Sequence, residues 1–177
     1  MEISYDILSE SRIERSLFQH FVRRQEVTRC WRKEAGGWRL KDIAFVDDWK
    51  EAEYEFLVKC LKHTVSTGGF VFGGFAEGRL VGFASVENRH FGSRNQYVQL
   101  SCIHVSCESR GQGIGKGLFQ CVCAAGRKLG AEKLYISAHS AEETQAFYHA
   151  MGCVEAKEYD RELSEAEPCD CQLEFVL

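Results

Sequence analysis

The hydrophobic residues of this chain follow two different periods, and the first is that of β-strands. Runs of apolar residues, continuous or alternating with polar ones, predict strands at residues 2–8, 27–34, 38–46, 70–76, 80–87, 97–105, 134–136, 153–159 and 171–177. Short glycine-containing connections at residues 35–37 and 77–78 predict two β-hairpins. In the last strand Leu173, Phe175 and Leu177 lie on one face, as expected for a strand with one buried side.

The second period is helical and predicts four helices between the strands. Three of them begin at polar pairs that resemble N-terminal capping boxes: Ser11 with Glu14, Asp48 with Glu51, and Ser140 with Glu143. These helices are expected to end near residues 24, 67–68 and 151–152. The remaining helix has apolar residues at positions 114, 118, 122, 125 and 129, follows a glycine-rich turn and ends at Gly130.

The order of these elements predicts an α/β (α+β) fold. The chain has 177 residues, which suits one domain over residues 1–177, and 45% of them are hydrophobic, enough for an ordinary packed core. With 22 basic and 26 acidic residues the net charge is −4, which disfavours general nucleic-acid binding.

The apolar runs and the cysteines indicate where the protein resides. No run approaches the roughly 20 residues of a membrane span, and no N-terminal signal segment is recognisable. Nine cysteines, an odd number, are spread through the predicted elements. We therefore expect a cytoplasmic protein with reduced thiols and no membrane association. Two C-x-C pairs, at 121–123 and 169–171, suggest metal binding only weakly, since structural zinc ligands are usually spaced C-x₂₋₄-C, and we expect no metal.

Residues 110–117, RGQGIGKG, form the most informative motif because a glycine turn there leads from a strand into a helix. Free backbone N–H groups and the helix dipole at such a turn favour an anion, above all a phosphate. The dinucleotide motif G-x-G-x-x-G does not fit, since Lys116 or Leu118 occupies the position of the third glycine. The P-loop does not fit either, because Gly117 follows Lys116 in place of Ser or Thr.

Two motifs together resemble the GNAT superfamily of N-acetyltransferases, which use acetyl-coenzyme A. Arg110, Gly113 and Gly115 fill its pyrophosphate motif, (Gln/Arg)-x-x-Gly-x-(Gly/Ala), after apolar residues at 100, 103 and 105. Residues 146–153, AFYHAMGC, resemble its second signature. The resemblance implies a mixed, curved sheet of about six to seven strands flanked by about four helices, with an added hairpin at 27–46. That hairpin is expected to shape a substrate pocket or a homodimer contact.

The resemblance also implies roles for individual residues. The pyrophosphate of acetyl-CoA is expected to bind the turn residues and two flanking cations: Arg110, Gly111, Gln112, Gly113, Ile114, Gly115 and Lys116. Backbone groups of Ile103 and Val105 are expected to pair with the pantetheine arm as an added strand would. An amine acceptor, either a small molecule or a protein amine, then attacks the acetyl group directly.

Two proton transfers accompany that attack. Tyr148 matches the tyrosine that protonates the departing thiolate in the family. The base is open, because Ser137 occupies the position of the glutamate that some members use; Glu87, His104 and a water relay are the alternatives. Ala141 stands where many members have an asparagine. A CoA-binding sensor without catalysis and a general nucleotide-binding protein are the rival hypotheses.

Overall fold

Seven of the nine strands form one mixed sheet in the computed structural model, which describes residues 2–177. The strands are β1 (Ser4–Ile7), β2 (Arg24–Glu34), β3 (Gly37–Asp48), β4 (Phe70–Ala76), β5 (Arg79–Val86), β6 (Tyr97–Val105), β7 (Lys133–Ala138), β8 (Val154–Glu155) and β9 (Cys171–Val176). The helices are α1 (Glu51–Ser66), α2 (Ile114–Lys128), α3 (Glu142–Met151) and α4 (Arg161–Ala166). The sheet has the order β1-β4-β5-β6-β7-β9-β8, and β2 and β3 pair separately as a long hairpin.

The two faces of the sheet bury different side chains, as the alternation along the strands requires. Helix α2 packs on one face, where Leu118 and Val122 join Ala84, Leu100 and Ile136 in a core cluster. Helix α1 and the N-terminal segment pack on the opposite face, over Val71 and Phe83. The predicted α/β class, with its added hairpin, is confirmed.

The sheet opens between its two central parallel strands. β6 pairs with β7 only at Tyr97–Lys133, Val98–Leu134 and Gln99–Tyr135. Beyond these pairs β6 continues to pair with β5 as far as Val105. The second half of β6 therefore has one edge that β7 leaves free.

The predicted helix over residues 11–24 is wrong. The segment forms two short 3₁₀ turns, Glu10–Arg12 and Arg15–Phe18. Its buried residues Leu8, Ile13, Phe18 and Phe21 are spaced by five, five and three positions, which does not place them on one face of an α-helix. The Ser11 hydroxyl bonds to that of Ser9, so it caps no helix.

Two further N-cap predictions are wrong, although the helices that they predicted are present. The N-cap of α1 is Lys50, whose backbone N–H donates to the Glu53 carboxylate at 2.8 Å, so Asp48 lies outside the helix. The N-cap of α3 is Ala141, because the Ser140 hydroxyl accepts from Arg32 at 2.7 Å.

The C-terminal region contains fewer strand residues than predicted. The strand predicted at 153–159 is limited to β8, and α4 follows it. Asp160 begins α4 by accepting a hydrogen bond from the backbone N–H of Leu163 at 3.0 Å. Within residues 2–177 no helix is long and apolar enough to cross a membrane.

Candidate active site

The glycine turn before α2 adopts a backbone conformation that disfavours other residues. Gly111 and Gly113 have φ values of 77° and 81°, and a Cβ added at either would meet nothing within 4 Å. Glycine is therefore required for its left-handed conformation and not for lack of space. Gly113 is the N-cap of α2, and no side chain caps this helix. The helix itself therefore leaves the N–H groups of its first turn unpaired.

The next two glycines allow close packing instead. A Cβ at Gly115 would lie 3.0 Å from Phe147, and one at Gly117 would lie 2.1 Å from the Tyr5 hydroxyl. The start of α2 thus lies directly against α3 and β1, which fixes the direction in which its N-terminus points.

The charges around this turn favour an anion. The first turn of α2 contains no acidic residue. The nearby Glu108 accepts a hydrogen bond from the Ser106 hydroxyl at 2.8 Å and so does not cap the turn. Lys116 is exposed within the first turn, and Arg110 immediately precedes Gly111.

The free edge of β6 runs toward the same turn. Ser106 N–H donates to the carbonyl of Val81, on β5, at 2.9 Å. Since bonded and non-bonded pairs alternate along an antiparallel ladder, Ile103 and Val105 direct their backbone groups away from β5. The carbonyl of Val105 accepts from Nε of Arg110 at 3.2 Å.

Tyr148 lies buried on α3 and belongs to the core cluster that includes Leu100 of β6. Burial raises the pKa of its hydroxyl, and the neighbouring Cys153, Cys102 and Asp170 raise it further. Cys102 comes from the second half of β6, so the phenol interacts electrostatically with the strand that has the free edge. Tyr148 is therefore protonated at neutral pH.

His104 points to the α1 face of β6 and is held by aromatic rings and an arginine. Its ring lies 4.9 Å from that of Trp49 and 5.4 Å from that of Phe83. Arg23 donates from Nε to Nδ1 of His104 at 3.1 Å. Burial, Arg23 and Arg110 lower the pKa of His104 to about 3. Its Nδ1 is thus engaged, and the ring proton lies on Nε2.

Arg23 itself was not recognisable from the sequence as a site residue. It is 8% exposed, and its Nη2 pairs with Asp47 at 3.1 Å. Its Nη1 has no hydrogen-bond partner among the described residues. In the sequence Arg23 is part of an Arg-Arg pair at 23–24, which is typical of an exposed surface and does not indicate a buried site residue.

Glu87 follows β5 and accepts two hydrogen bonds at one oxygen. The hydroxyls of Thr64 and Ser101 each lie 2.7 Å from Oε1. The carboxylate lines a cavity of about 480 Å³ on the α1 face of the sheet. The other lining residues are His63, Thr67, Asn88, Arg89, Phe91, Gln99, Asp160, Glu162 and Leu163. Ser137 lies outside this set, and its hydroxyl bonds to Asp170 at 3.0 Å.

The β2–β3 hairpin closes over the start of α3. Backbone N–H of Trp31 donates to the Ser140 carbonyl at 2.8 Å. The Arg29 guanidinium donates two hydrogen bonds to the Glu142 carboxylate, at 2.9 and 2.7 Å. The hairpin therefore packs against the loop that follows β7 and against the start of α3.

A mixed sheet whose central parallel strands diverge beside an uncapped glycine turn defines a class of proteins that bind a phosphorylated, extended cofactor. The family model described as the acetyltransferase (GNAT) family matches residues 25–153, and the chain belongs to this family.

Solved structures share this fold. Nourseothricin acetyltransferase is 16% identical with a TM-score of 0.68, covering 98% of this chain and 96% of that one. A putative streptothricin acetyltransferase from Bacillus anthracis, in complex with acetyl coenzyme A, is 12% identical with a TM-score of 0.75, covering 100% and 99%. PaiA N-acetyltransferase from Thermoplasma acidophilum, in complex with coenzyme A, is 15% identical with a TM-score of 0.60, covering 100% of both. A comparison with curated protein sequences gives no match.

Proposed function

We propose that the protein transfers an acetyl group from acetyl-CoA to an amine. One observation carries the proposal: the free backbone edge of β6 leads directly to the uncapped N-terminus of α2. An edge that pairs with an extended arm and a turn that binds a diphosphate are the two halves of a CoA site. Structural relatives contain acetyl-CoA or CoA, in agreement with this assignment.

The residues present fit the coenzyme. N–H groups from Gly111 to Lys116 would hold the pyrophosphate, with the Lys116 ammonium adding charge. The backbone of Ile103 and the N–H of Val105 face the gap in which the arm would lie. The bond from Arg110 to the Val105 carbonyl already satisfies one group there, so Ile103 is the stronger anchor. When bound, acetyl-CoA supplies the activated acyl group as a thioester.

Tyr148 is assigned as the proton donor to the departing sulfur. Its buried, protonated hydroxyl, which interacts electrostatically with Cys102 of β6, supports this role. The removal of a proton donor typically costs 10²- to 10⁴-fold in rate.

Glu87 is favoured over His104 as the base. His104 has its Nδ1 blocked by Arg23 and a proton on Nε2, so it has no free lone pair to offer. Both hydrogen bonds to the Glu87 carboxylate from the described residues go to Oε1, so Oε2 is available. Glu87 also lines a cavity next to Gln99, where β6 and β7 part.

The acceptor is proposed to be a cationic primary amine. Glu87, Asp160 and Glu162 share the cavity with one arginine, Arg89, which lies 3.7 Å from Glu162. Two structural relatives are named nourseothricin acetyltransferase and putative streptothricin acetyltransferase, but at 16% and 12% identity they indicate the fold and not the substrate.

The test is release of free CoA thiol from acetyl-CoA with a panel of amines, including lysine, spermidine, streptothricin and a peptide with a free N-terminus. We expect turnover with at least one amine and about a 100-fold loss of kcat in Tyr148→Phe, with unchanged acetyl-CoA affinity. Acetyl-CoA binding without thiol release from any amine would favour the non-catalytic sensor. A thermal shift with ATP or NAD but not with acetyl-CoA would favour a general nucleotide-binding protein.

A further inference from the structure

Ser101 lies at an irregular point of β6. The β5–β6 register shifts between Ser85 and Val86: Ser85 is opposite Cys102, whereas Val86 is opposite Leu100. Ser101 is thus the extra residue of a β-bulge. Bulges re-aim a side chain that a regular strand would direct elsewhere. Ser101 is exposed, whereas Leu100 beside it is buried in the core.

This bulge joins Ser101 to the carboxylate of Glu87 and to a buried serine. The Ser101 hydroxyl donates to Glu87 Oε1 at 2.7 Å. It also lies 2.6 Å from the hydroxyl of Ser85, which is 1% exposed. The Ser85 oxygen is in turn 3.0 Å from the sulfur of Cys102.

The direction of each bond follows from the carboxylate. An ionised carboxylate only accepts, so the single proton of Ser101 points to Glu87. The Ser101 oxygen must then accept from Ser85, and Ser85 must accept from the Cys102 thiol. The pKa of that thiol is raised to about 12 by its burial, so it remains protonated and able to donate. The hydrogen bonds in this network therefore all run in one direction, from the Cys102 thiol through the two serine hydroxyls to the Glu87 carboxylate.

We infer that Ser101 is a catalytic residue that relays the proton of the acceptor ammonium to Glu87, and that Ser85 is a positioning residue which orients it. The inference rests on the proposed function. The ammonium nitrogen gives its proton to the Ser101 oxygen, and the O–H proton of Ser101 passes to Glu87 Oε1. The products are a neutral amine, a protonated Glu87 and a serine hydroxyl again, so charge and protons balance.

Several other titratable or charged groups lie around Glu87 and contribute to the pH dependence of the relay. Cys60 of α1 interacts with Glu87, and Cys102 does so from β6. The cavity also contains His63 of α1, Arg89 of the loop after β5, and Asp160 and Glu162 at the start of α4.

The test is the pH profile of kcat/KM for Ser101→Ala with the best amine of the panel. A free amine has a pKa near ~10, so the relay matters only below that pH. We expect a loss of about 100-fold at pH 7 that shrinks steadily as the pH approaches 10, and a near-normal profile for Ser101→Thr, which keeps the hydroxyl. In Glu87→Gln, adding Ser101→Ala should cause little further loss, since the two residues act as one unit.

Thr64→Val is the matched control. It removes a hydrogen bond to the same Glu87 oxygen but leaves the relay intact. We expect at most a modest loss that is equal between pH 7 and 10, where the carboxylate of Glu87 stays ionised in either variant. Circular dichroism and acetyl-CoA affinity identify any variant that has lost its fold. If Ser101→Ala is such a variant, Ser101→Thr is compared with the wild type instead.

The outcomes separate the two proposals. Two results would overturn the relay alone. One is an active wild type whose pH profile of kcat/KM is the same as that of Ser101→Ala. The other is a Ser101→Thr variant that is as impaired as Ser101→Ala. A wild type that releases no thiol with any amine would overturn the proposed function, and the relay with it.

Discussion

Arg23 donates from Nε to Nδ1 of His104 over 3.1 Å. Because a guanidinium is always protonated and has no acceptor, this bond requires an unprotonated Nδ1. The neutral ring is compatible with a buried position between Trp49 and Phe83, and protonation would place a second cation against Arg23. This relationship has consequences for both stability and catalysis.

The first prediction concerns stability in acid. The folded-state pKa of His104 is about 3, against an ordinary value of 6.5. Between these values the unfolded chain binds the proton and the folded chain does not, so His104 destabilises the fold as the pH falls from 6.5 toward 3 and has no such effect above 6.5. In His104→Gln, the free energy of unfolding should fall less steeply between pH 6.5 and 4 than in the wild type.

Urea denaturation at several pH values measures this slope. Equal slopes for His104→Gln and the wild type would contradict the assignment of a neutral, buried histidine.

The second prediction separates the two candidate bases. We expect Glu87→Gln to lower kcat/KM at pH 7 about 100-fold, because the amine then lacks a proton acceptor. His104→Gln keeps an oxygen for Arg23 and should cost less than about tenfold. Steady-state kinetics with the same amine decide between them, and a larger loss in His104→Gln than in Glu87→Gln would reverse the assignment.

The third prediction tests the glycine turn. Gly113→Ala places a Cβ in the left-handed region, which costs about 1 kcal/mol of stability. We also expect acetyl-CoA affinity to fall at least about tenfold, because the N–H groups of the turn lose their alignment.

Gly130→Ala serves as the matched control for the turn. Gly130 has φ of 80°, and a Cβ there also meets nothing within 4 Å, but it lies at the other end of α2. It should cost similar stability and leave affinity unchanged, as isothermal titration can measure. Equal affinity losses in both variants would show that the turn has no special role in binding.

The fourth prediction concerns a buried ion pair in β9. Glu174 is 2% exposed and accepts hydrogen bonds from the Tyr97 hydroxyl and, at 2.9 Å, from the Lys133 ammonium. Burial alone would raise the pKa of Glu174, but these bonds outweigh it and the pKa is lowered. Glu174→Gln leaves Lys133 without its charge partner and should cost about 3 kcal/mol.

The exposed pair Arg161–Glu165 provides the comparison for that measurement. Glu165→Gln removes an i,i+4 pair on the surface of α4 and should cost less than about 0.5 kcal/mol. Urea denaturation at pH 7 measures both variants, and a loss in Glu174→Gln as small as that in Glu165→Gln would mean that the buried charge is not paired as described.

Most strands, α2 and the glycine turn were predictable because local periodicity and glycine chemistry determine them. The sequence failed where long-range contacts decide: Ser140 has the right residue type for a cap, but its hydroxyl bonds to Arg32, 108 positions away. The same holds for Ser101, whose role depends on a register shift between two strands. Arg23 and His104 meet only because β2 and β6 are folded together, and no spacing in the sequence predicts their bond.

The most direct test of the central claim is an NMR titration of the backbone amides with acetyl-CoA. We predict large shifts for the amides from Gly113 to Lys116, similar shifts with CoA, and much smaller ones with pantetheine, which lacks the diphosphate. Unchanged amides in this turn, with shifts confined to another part of the chain, would contradict the account.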